Sequence, residues 1–246
     1  MNRFNWQILL GLSLIILSAI FYLLHYAIFR DAHHILLYLI GDIAFVFIEV
    51  LLVTLIIHQL LGEREKRIML KKLNMVIGAF FSEVGTGLLK IFSDFDSDTD
   101  KIRKVLVVTN DWSETEFSEG SKRIKNYNFK MDRQGVDLEK LKSFLIGKRN
   151  FLLGLLENPN LLEHESFTDL LWAVFHLTEE LENRVDVKRL PDNDFAHLSS
   201  DIKRAYILLV VQWLSYMKHL KNDYPYLFSL AIRTNPFDPK ASPIVI

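Results

Sequence analysis

The sequence contains no cysteine. Disulfide bonds, thiolate catalysis and cysteine-ligated metal sites are therefore excluded. The sequence also lacks an excess of either charge, since 29 Lys and Arg residues face 30 Asp and Glu residues, for a formal net charge of −1. This balance gives no sign of a polyanionic partner, and the aromatic residues do not interleave with a basic stripe as they do in nucleic-acid binders. We therefore expect no nucleic-acid partner.

The common catalytic signatures are also absent: GxGxxG after a predicted strand, GxxxxGK[ST], HExxH and GxSxG. The nearest approach to a metal motif is His176 with Glu179 and Glu180. Di-iron bundles place a glutamate three residues before a histidine on two helices, and here the order is reversed. The adjacent His33 and His34 lie in too short a turn to supply more than weak ligands. We expect no metal, no cofactor and no enzymatic activity, with a membrane-bound enzyme as the least favoured alternative.

Two long apolar runs are the main positive feature, at about residues 6–29 and 35–61. Each has the roughly 20 apolar residues that a helix needs to cross the hydrocarbon of a bilayer. A cleaved signal peptide is the alternative for the first run, with Leu17, Ser18 and Ala19 at the cleavage site. Because the apolar run continues well beyond Ala19 and a second run follows at once, we expect an uncleaved helical hairpin over residues 1–61.

Basic residues set the expected orientation of this hairpin. Lysine and arginine concentrate on the cytoplasmic side of membrane proteins. Arg3 precedes the first run, and five basic residues follow the second, so both termini are expected in the cytosol of a protein integral to the plasma (inner) membrane. The same five are candidate contacts with anionic headgroups: Arg64, Lys66, Arg67, Lys71 and Lys72.

Two carboxylic acids, Asp42 and Glu49, interrupt the second run. Seven residues separate them, which is about 20° short of two helical turns, so they share one face of a helix. An acid within the hydrocarbon costs about 2.5–3.5 kcal/mol on insertion scales unless it meets a polar partner or water. The two acids therefore predict a partner.

The first run supplies candidate partners on a single stripe of polar or small residues: Gln7, Gly11, Ser18, Tyr22 and His25. In an antiparallel hairpin, residues at equal distances from the loop lie side by side. His25 is therefore predicted to contact Asp42, and Ser18 or Tyr22 is predicted to contact Glu49, within one chain or across subunits. In a structural interpretation the acids fix helix register and assembly. In a functional interpretation several copies of the second helix surround a cation path. Both interpretations favour a homo-oligomer.

The remaining sequence predicts an all-α fold, in which the transmembrane hairpin is followed by a cytosolic helical bundle. Apolar residues continue at helical spacing beyond the second run, and Gly78, Gly85 and Gly87 indicate close helix packing or a bend. An acidic stretch, SDFDSDTDK, resembles the start of a calcium loop but lacks its glycine and its final glutamate. We interpret it as an exposed linker. The expected divisions are 62–92 for a juxtamembrane amphipathic helix, 93–100 for the linker, 101–234 for the helical domain and 235–246 for a tail.

Helix boundaries follow from local signals. Asp137 is expected to cap one helix, Ser166 to cap another in a capping box with Asp169, and Pro225 to start the last. An apolar helix at about residues 199–219 is expected at the centre of the bundle. Residues 105–109, VLVVT, predict either a short strand or a helical turn. Three tryptophans have neighbours typical of core packing: Trp112, Trp172 and Trp213.

The C-terminal segment carries residue types that anchor protein interfaces. The candidate interface residues are Tyr224, Tyr226, Phe228, Arg233 and Phe237. The alternative is a last helix that closes its own bundle.

The leading functional hypothesis is an oligomeric membrane protein whose cytosolic domain binds protein partners in assembly, scaffolding or signalling. The alternative is a cation channel lined by the second transmembrane helix.

Overall fold

A computed structural model describes residues 3–133, 135–161 and 164–244 of the chain. The described residues form nine α-helices and no strand, which confirms the predicted all-α fold. Residues 105–109 end a helix and continue as a loop. The helices are α1 (Arg3–Phe29), α2 (Ala32–Phe80), α3 (Thr86–Phe95), α4 (Thr99–Leu106), α5 (Glu114–Lys125), α6 (Leu138–Leu156), α7 (Glu165–Glu182), α8 (Asp192–Asp223) and α9 (Pro225–Arg233).

The chain divides into two compact units, Met1–Lys66 and Arg67–Ile246. In the first unit a turn of two residues joins α1 to α2. Arg30 adopts a left-handed conformation there, with φ of 53°, and its amide donates to the Tyr26 carbonyl at 2.9 Å. The Asp31 carboxylate accepts from the His34 amide at 3.1 Å and satisfies one of the free donors at the start of α2. Helix α2 therefore begins three residues before the predicted second span.

The helical pattern after the second apolar run is confirmed, because α2 continues to Phe80. A π-helical turn, Phe81–Gly85, separates it from α3. A Cβ at Gly85 would lie 2.5 Å from the Phe81 ring, and one at Gly87 would lie 2.8 Å from the Phe144 ring. Gly87 therefore permits close packing against α6, as one of the two sequence interpretations required, whereas Gly85 makes room for an aromatic ring of its own π-helical turn.

Helix α8 lies at the centre of the second unit, packed by α7, α5, α3 and α9. Its middle, AYILLVVQWL, is apolar on most sides, and a helical segment of that composition is stable only when neighbours cover it. The predicted central helix at 199–219 is confirmed and extended at both ends. Its fully buried residues include Leu209, Val210, Leu214 and Met217.

Two of the three predicted helix starts are confirmed. The Asp137 carboxylate accepts from the Lys140 amide at the start of α6, and Pro225 occupies the first turn of α9. The predicted cap at Ser166 is wrong, because α7 begins one residue earlier. The imidazole Nδ1 of His164 accepts from the Phe167 amide instead, at 3.2 Å. A histidine side chain thus takes the role that the sequence pattern gave to serine.

The acidic stretch at 93–100 is not the exposed linker that the sequence predicted. Its first three residues complete α3, and Ser93, Phe95 and Asp96 are buried. The Asp96 carboxylate accepts from the Tyr127 hydroxyl at 2.6 Å and from the Asp98 amide at 3.2 Å. One acid of the series therefore joins the end of α3 to the loop after α5, while Asp94 and Asp100 are exposed.

Candidate functional site

Two stretches of helix are long and apolar enough to cross a membrane, Ile8–Phe29 and the run that begins at Ala32. Their apolar windows are not buried within the chain. Among the described side chains up to residue 66, only His25, Ile35 and Leu39 are partly covered, and the others are exposed. The two helices therefore cover each other only beside the turn.

A cavity of about 580 Å³ lies between α1 and α2 near the turn. Three residues of the predicted polar stripe line it, Ser18, Tyr22 and His25, together with Tyr38 from α2. The sequence therefore identified most of the polar groups of this cavity. Tyr38 lies four residues before Asp42 on the same face of α2, as the helical spacing of the sequence indicates.

The imidazole of His25 is held by aromatic rings and not by an acid. Its centroid lies 4.8 Å from that of Phe29 and 6.1 Å from that of His34, whose ring plane is nearly parallel. Its Nδ1 is buried without a hydrogen-bond partner among the described residues. The predicted pairing of His25 with Asp42 is wrong for a single chain, because α2 starts earlier than expected and places Asp42 deeper.

Asp42 and Glu49 are both exposed on α2, and within the described part of the chain neither is hydrogen-bonded to α1. At 1.5 Å per residue, Asp42 lies about 15 Å along α2 from the turn, and Ser18 lies about 16 Å along α1. Glu49 and Gly11 lie about 26 and 27 Å from the turn. Asp42 therefore lies level with Ser18, and Glu49 lies level with Gly11. The side chain of Gln7 lies outside the described residues.

A second group of ionisable side chains lies between α7 and α8. Arg184, two residues beyond the end of α7, donates to Glu180 at 2.5 Å and forms two hydrogen bonds with Asp194, at 2.9 and 2.6 Å. These bonds hold the pKa of Glu180 and the pKa of Asp194 below their ordinary values. Arg184 therefore ties α7 to the first turn of α8.

Two histidines extend this group. The Nε2 atoms of His176 and His197 lie 3.6 and 3.4 Å from Asp201 Oδ2, and each lies 3.8 Å from a Glu180 oxygen. Arg204 also pairs with Asp201, at 2.7 Å. In the described ranges, no three histidine or acidic side chains are grouped so that they could hold a metal ion. The sequence places His176 and Glu180 four residues apart on one helix. His197, Asp201 and Arg204 join them from α8, and this depends on tertiary packing.

The Arg184 pairs predict a specific loss of stability in acid. Because folding lowers the pKa of Glu180 and of Asp194, their contribution is fully present above the ordinary carboxyl values near pH 4 and is lost as pH falls through the lowered values. Replacing Arg184 with methionine should lower the free energy of unfolding by about 1–2 kcal/mol at pH 7, a small value because the acids are partly exposed.

Denaturant unfolding of the full-length chain at several pH values tests this expectation. The difference between wild type and Arg184→Met should stay constant from pH 6 to about 4.5 and shrink as pH falls further through the lowered pKa values of Glu180 and Asp194. Arg189→Met, an exposed arginine without an ion pair in the described part of the chain, is the matched control. A difference that stays constant with pH would contradict the assignment.

The candidate headgroup contacts remain a prediction. The side chains of Arg64, Lys66, Lys71 and Lys72 are exposed, and no ion pair involves them within the described residues. The side chain of Arg67 lies outside the described residues. These four cations are therefore accessible to a surface of opposite charge.

The C-terminal candidate interface separates into buried and exposed residues. Phe228 is buried, and Phe237 is fully buried with its ring 5.2 Å from that of Trp213. The side-chain amide of Asn235 holds this segment by donating to the Leu106 carbonyl at 3.0 Å. Tyr226 is 71% exposed. The two phenylalanines therefore close the chain's own bundle.

The remaining candidates in this segment are Tyr224 and Arg233, both partly covered. Tyr224 packs edge-on against His219, and the Arg233 guanidinium donates to the carbonyls of Ser229 and Pro243. Residues 245 and 246, at the apolar end of the tail, lie outside the described residues. Tyr226 is the candidate with the greatest accessibility.

An exposed tryptophan marks another surface. Trp172 was expected in the core, but it is 57% exposed because it faces outward from α7. It lines a groove of about 690 Å³ with Arg204, Ile207 and Leu208 of α8. Tryptophan and arginine are the residue types most enriched among the energetically dominant residues of protein interfaces.

Two family models match the chain. The model described as the N-terminal helical domain of MJ1433 matches residues 2–61, and the model described as the C-terminal helical domain of uncharacterized protein MJ1433 matches residues 69–233. The uncharacterized protein MJ1433 of Methanocaldococcus jannaschii is 48% identical over 241 residues, which cover 98% of this chain and 97% of that protein. No solved structure matches the chain. The two matched segments follow the division into two compact units.

Proposed function

The chain belongs to the MJ1433 family, whose two helical domains it carries in order, and we propose that it is a homo-oligomeric integral membrane protein. In this proposal α1 and the first part of α2 form a transmembrane hairpin with both termini in the cytosol. The helical domain is cytosolic and binds protein partners as an assembly, scaffolding or signalling module. It performs no chemistry of its own.

The observation that carries the proposal is the exposure of the hairpin. An apolar helix that its own chain does not cover is stable only in lipid or against another protein. Lipid alone satisfies the apolar residues but leaves Asp42 and Glu49 at a cost of about 2.5–3.5 kcal/mol each. Since α1 of the same chain does not cover these acids, a second copy of the chain is the proposed partner for their carboxyl groups. Insertion into the membrane as an oligomer then satisfies both the apolar residues and the acids.

The cytosolic role rests on exposed interface residues. Trp172 and Arg204 line one groove, and Tyr226 is exposed on α9. Apolar aromatic surface in contact with water is unfavourable unless a partner covers it. These residues, and the absence of the common catalytic motifs from the sequence, favour a binding module over an enzyme.

A cation pathway is the second candidate. Asp42 and Glu49 share one uncovered face of α2. Rings of acids on helices around an axis attract cations in many channels. Each copy would then turn this face toward water and not toward α1 of a neighbour.

Substitution of the acids separates the two candidates. Replacing both Asp42 and Glu49 with leucine should weaken the oligomer about tenfold or more, because each polar contact between membrane helices contributes about 1–2 kcal/mol. Native mass spectrometry of protein in lipid nanodiscs measures the oligomer fraction over a dilution series. Glu63→Leu is the control, since Glu63 lies beyond the apolar run on the same face.

Cation flux into liposomes gives the opposing test. The assembly proposal predicts no flux above that of empty liposomes for the wild type or for Glu49→Gln. Flux in the wild type that falls in Glu49→Gln but persists in Glu63→Gln would support the cation pathway instead. A wild-type protein that stays monomeric at all lipid dilutions would contradict both candidates.

A further inference from the structure

The two hairpin helices carry matching series of residues at seven-residue spacing. On α1 the series is Gly11, Ser18 and His25, and on α2 it is Ile35, Asp42 and Glu49. Seven residues are about 20° short of two turns, so each series follows one face and drifts slowly around its helix. Helices with such a repeat pack along their whole length when they supercoil in a left-handed sense.

The partly covered residues beside the turn indicate the register between the two series. His25 and Ile35 are both partly covered and line the same cavity. One repeat deeper, about 10 Å further along each helix, the same register places Ser18 opposite Asp42. A second repeat places Gly11 opposite Glu49.

The chemistry of the facing pairs is complementary. A serine hydroxyl can donate to a carboxylate or accept from a protonated acid, so Ser18 suits Asp42 in either state. Glycine and serine also let two helix backbones approach closely. A Cβ added at Gly11 would meet no atom within 4 Å, which leaves space beside it for the longer side chain of Glu49.

Within one chain these two deeper layers do not meet. Gly11, Ser18, Asp42 and Glu49 are all exposed, and Ser18 borders the cavity between α1 and α2 without being covered by α2. A second copy in the same orientation presents the same layers at the same depths. It can therefore supply an α1 face to the uncovered α2 face and receive the reverse contact, as two-fold symmetry requires.

We propose that Gly11 and Ser18 of one copy pack against Glu49 and Asp42 of a second copy, in a reciprocal α1–α2 interface within the membrane. This interface rests on the proposed function, since it requires a membrane-inserted oligomer. It specifies which faces meet and in which register. It also assigns both acids to an interface between copies and not to a water-filled axis.

Single cysteines test the interface directly, because the chain has no native cysteine. Chains with Ser18→Cys and one affinity tag are coexpressed with chains that carry Asp42→Cys and another tag. Membranes are then oxidised. With one cysteine in each chain, every disulfide joins two copies. Facing Cβ atoms within about 4.5 Å are required for the bond.

The expected result is a disulfide-linked heterodimer at least tenfold more abundant than in the control pair, Ile16→Cys with Ala44→Cys. The control residues lie at matching depths, about 19 and 18 Å from the turn, on the opposite faces of α1 and α2. The pair Gly11→Cys with Glu49→Cys should also cross-link, and it keeps Asp42 intact. This second pair therefore tests the register even if loss of Asp42 weakens assembly.

The remaining outcomes separate this interface from the broader proposal. If native mass spectrometry shows a wild-type oligomer but neither pair exceeds the control, the interface is wrong and the oligomeric proposal stands. If the wild type is monomeric, both fail. The double variant Ser18→Cys, Asp42→Cys tests the alternative within one chain. An internal disulfide without dimers would show that α1 and α2 of one copy pack against each other at this depth, and this would overturn the inference.

Discussion

Replacing Phe167 with alanine is expected to lower the free energy of unfolding by about 3–5 kcal/mol, the usual cost of removing a buried aromatic ring. Phe167 is fully buried in the first turns of α7, and its ring packs edge-on against Phe80 at a centroid distance of 5.3 Å. Phe80 is the last residue of α2. The substitution therefore removes both buried apolar area and an aromatic pair between two helices.

Near-ultraviolet circular dichroism of the full-length chain in detergent, followed over a guanidinium titration, measures this effect. Trp172→Ala on the same helix is the matched control, since Trp172 is exposed and its loss should cost less than 1 kcal/mol. Equal losses for the two variants would contradict the assignment of Phe167 to the core. A shift in midpoint with an unchanged denaturant slope would confirm that stability alone has changed.

Replacing Asp96 with alanine is expected to cost about 2–3 kcal/mol, since a hydrogen bond to a charged group contributes more than a neutral one. Asp96 is buried, and it accepts from the Tyr127 hydroxyl and from the Asp98 amide. Burial and the bond to Asp96 raise the pKa of Tyr127, so the hydroxyl stays a donor at neutral pH. Without the carboxylate, this partly buried hydroxyl loses its acceptor.

Asp96→Asn should cost less, about 1 kcal/mol, because the amide oxygen can still accept from Tyr127. Tyr206→Phe is a second control in the same region. The Tyr206 hydroxyl is buried, and it has no hydrogen-bond partner among the described residues. Its removal should leave the free energy of unfolding unchanged or slightly raised. A cost for Tyr206→Phe as large as that for Asp96→Ala would contradict this account.

Local sequence signals were sufficient where the controlling interaction is also local. The Asp137 cap and the Pro225 start depend on residues within one turn, so the pattern predicted both. The cap of α7 was mispredicted because serine and histidine lie two residues apart and both can accept from a free amide. Which one does so depends on the path of the loop before the helix.

The acidic stretch shows where local signals fail. Alternating aspartates are typical of an exposed loop, but Asp96 is buried because Tyr127, 31 residues later, supplies a donor. No local pattern reveals that partner. Trp172 shows the opposite error, since an aromatic residue among apolar neighbours still faces outward when the helix turns its other side to the core.

The sequence by itself determined the all-helical fold, the two apolar stretches and the acids that interrupt the second, because these depend on composition and on a period of 3.6 residues. It also placed the polar stripe of α1 on one face. The start of α2 depends on a local contact of Asp31 that the apolar pattern does not reveal. Only the tertiary structure decided which residues of α1 and α2 cover each other beside the turn. It also decided that α7 and α8 join Glu180, Asp194 and Asp201 into one group, since residues far apart in sequence meet only when helices pack.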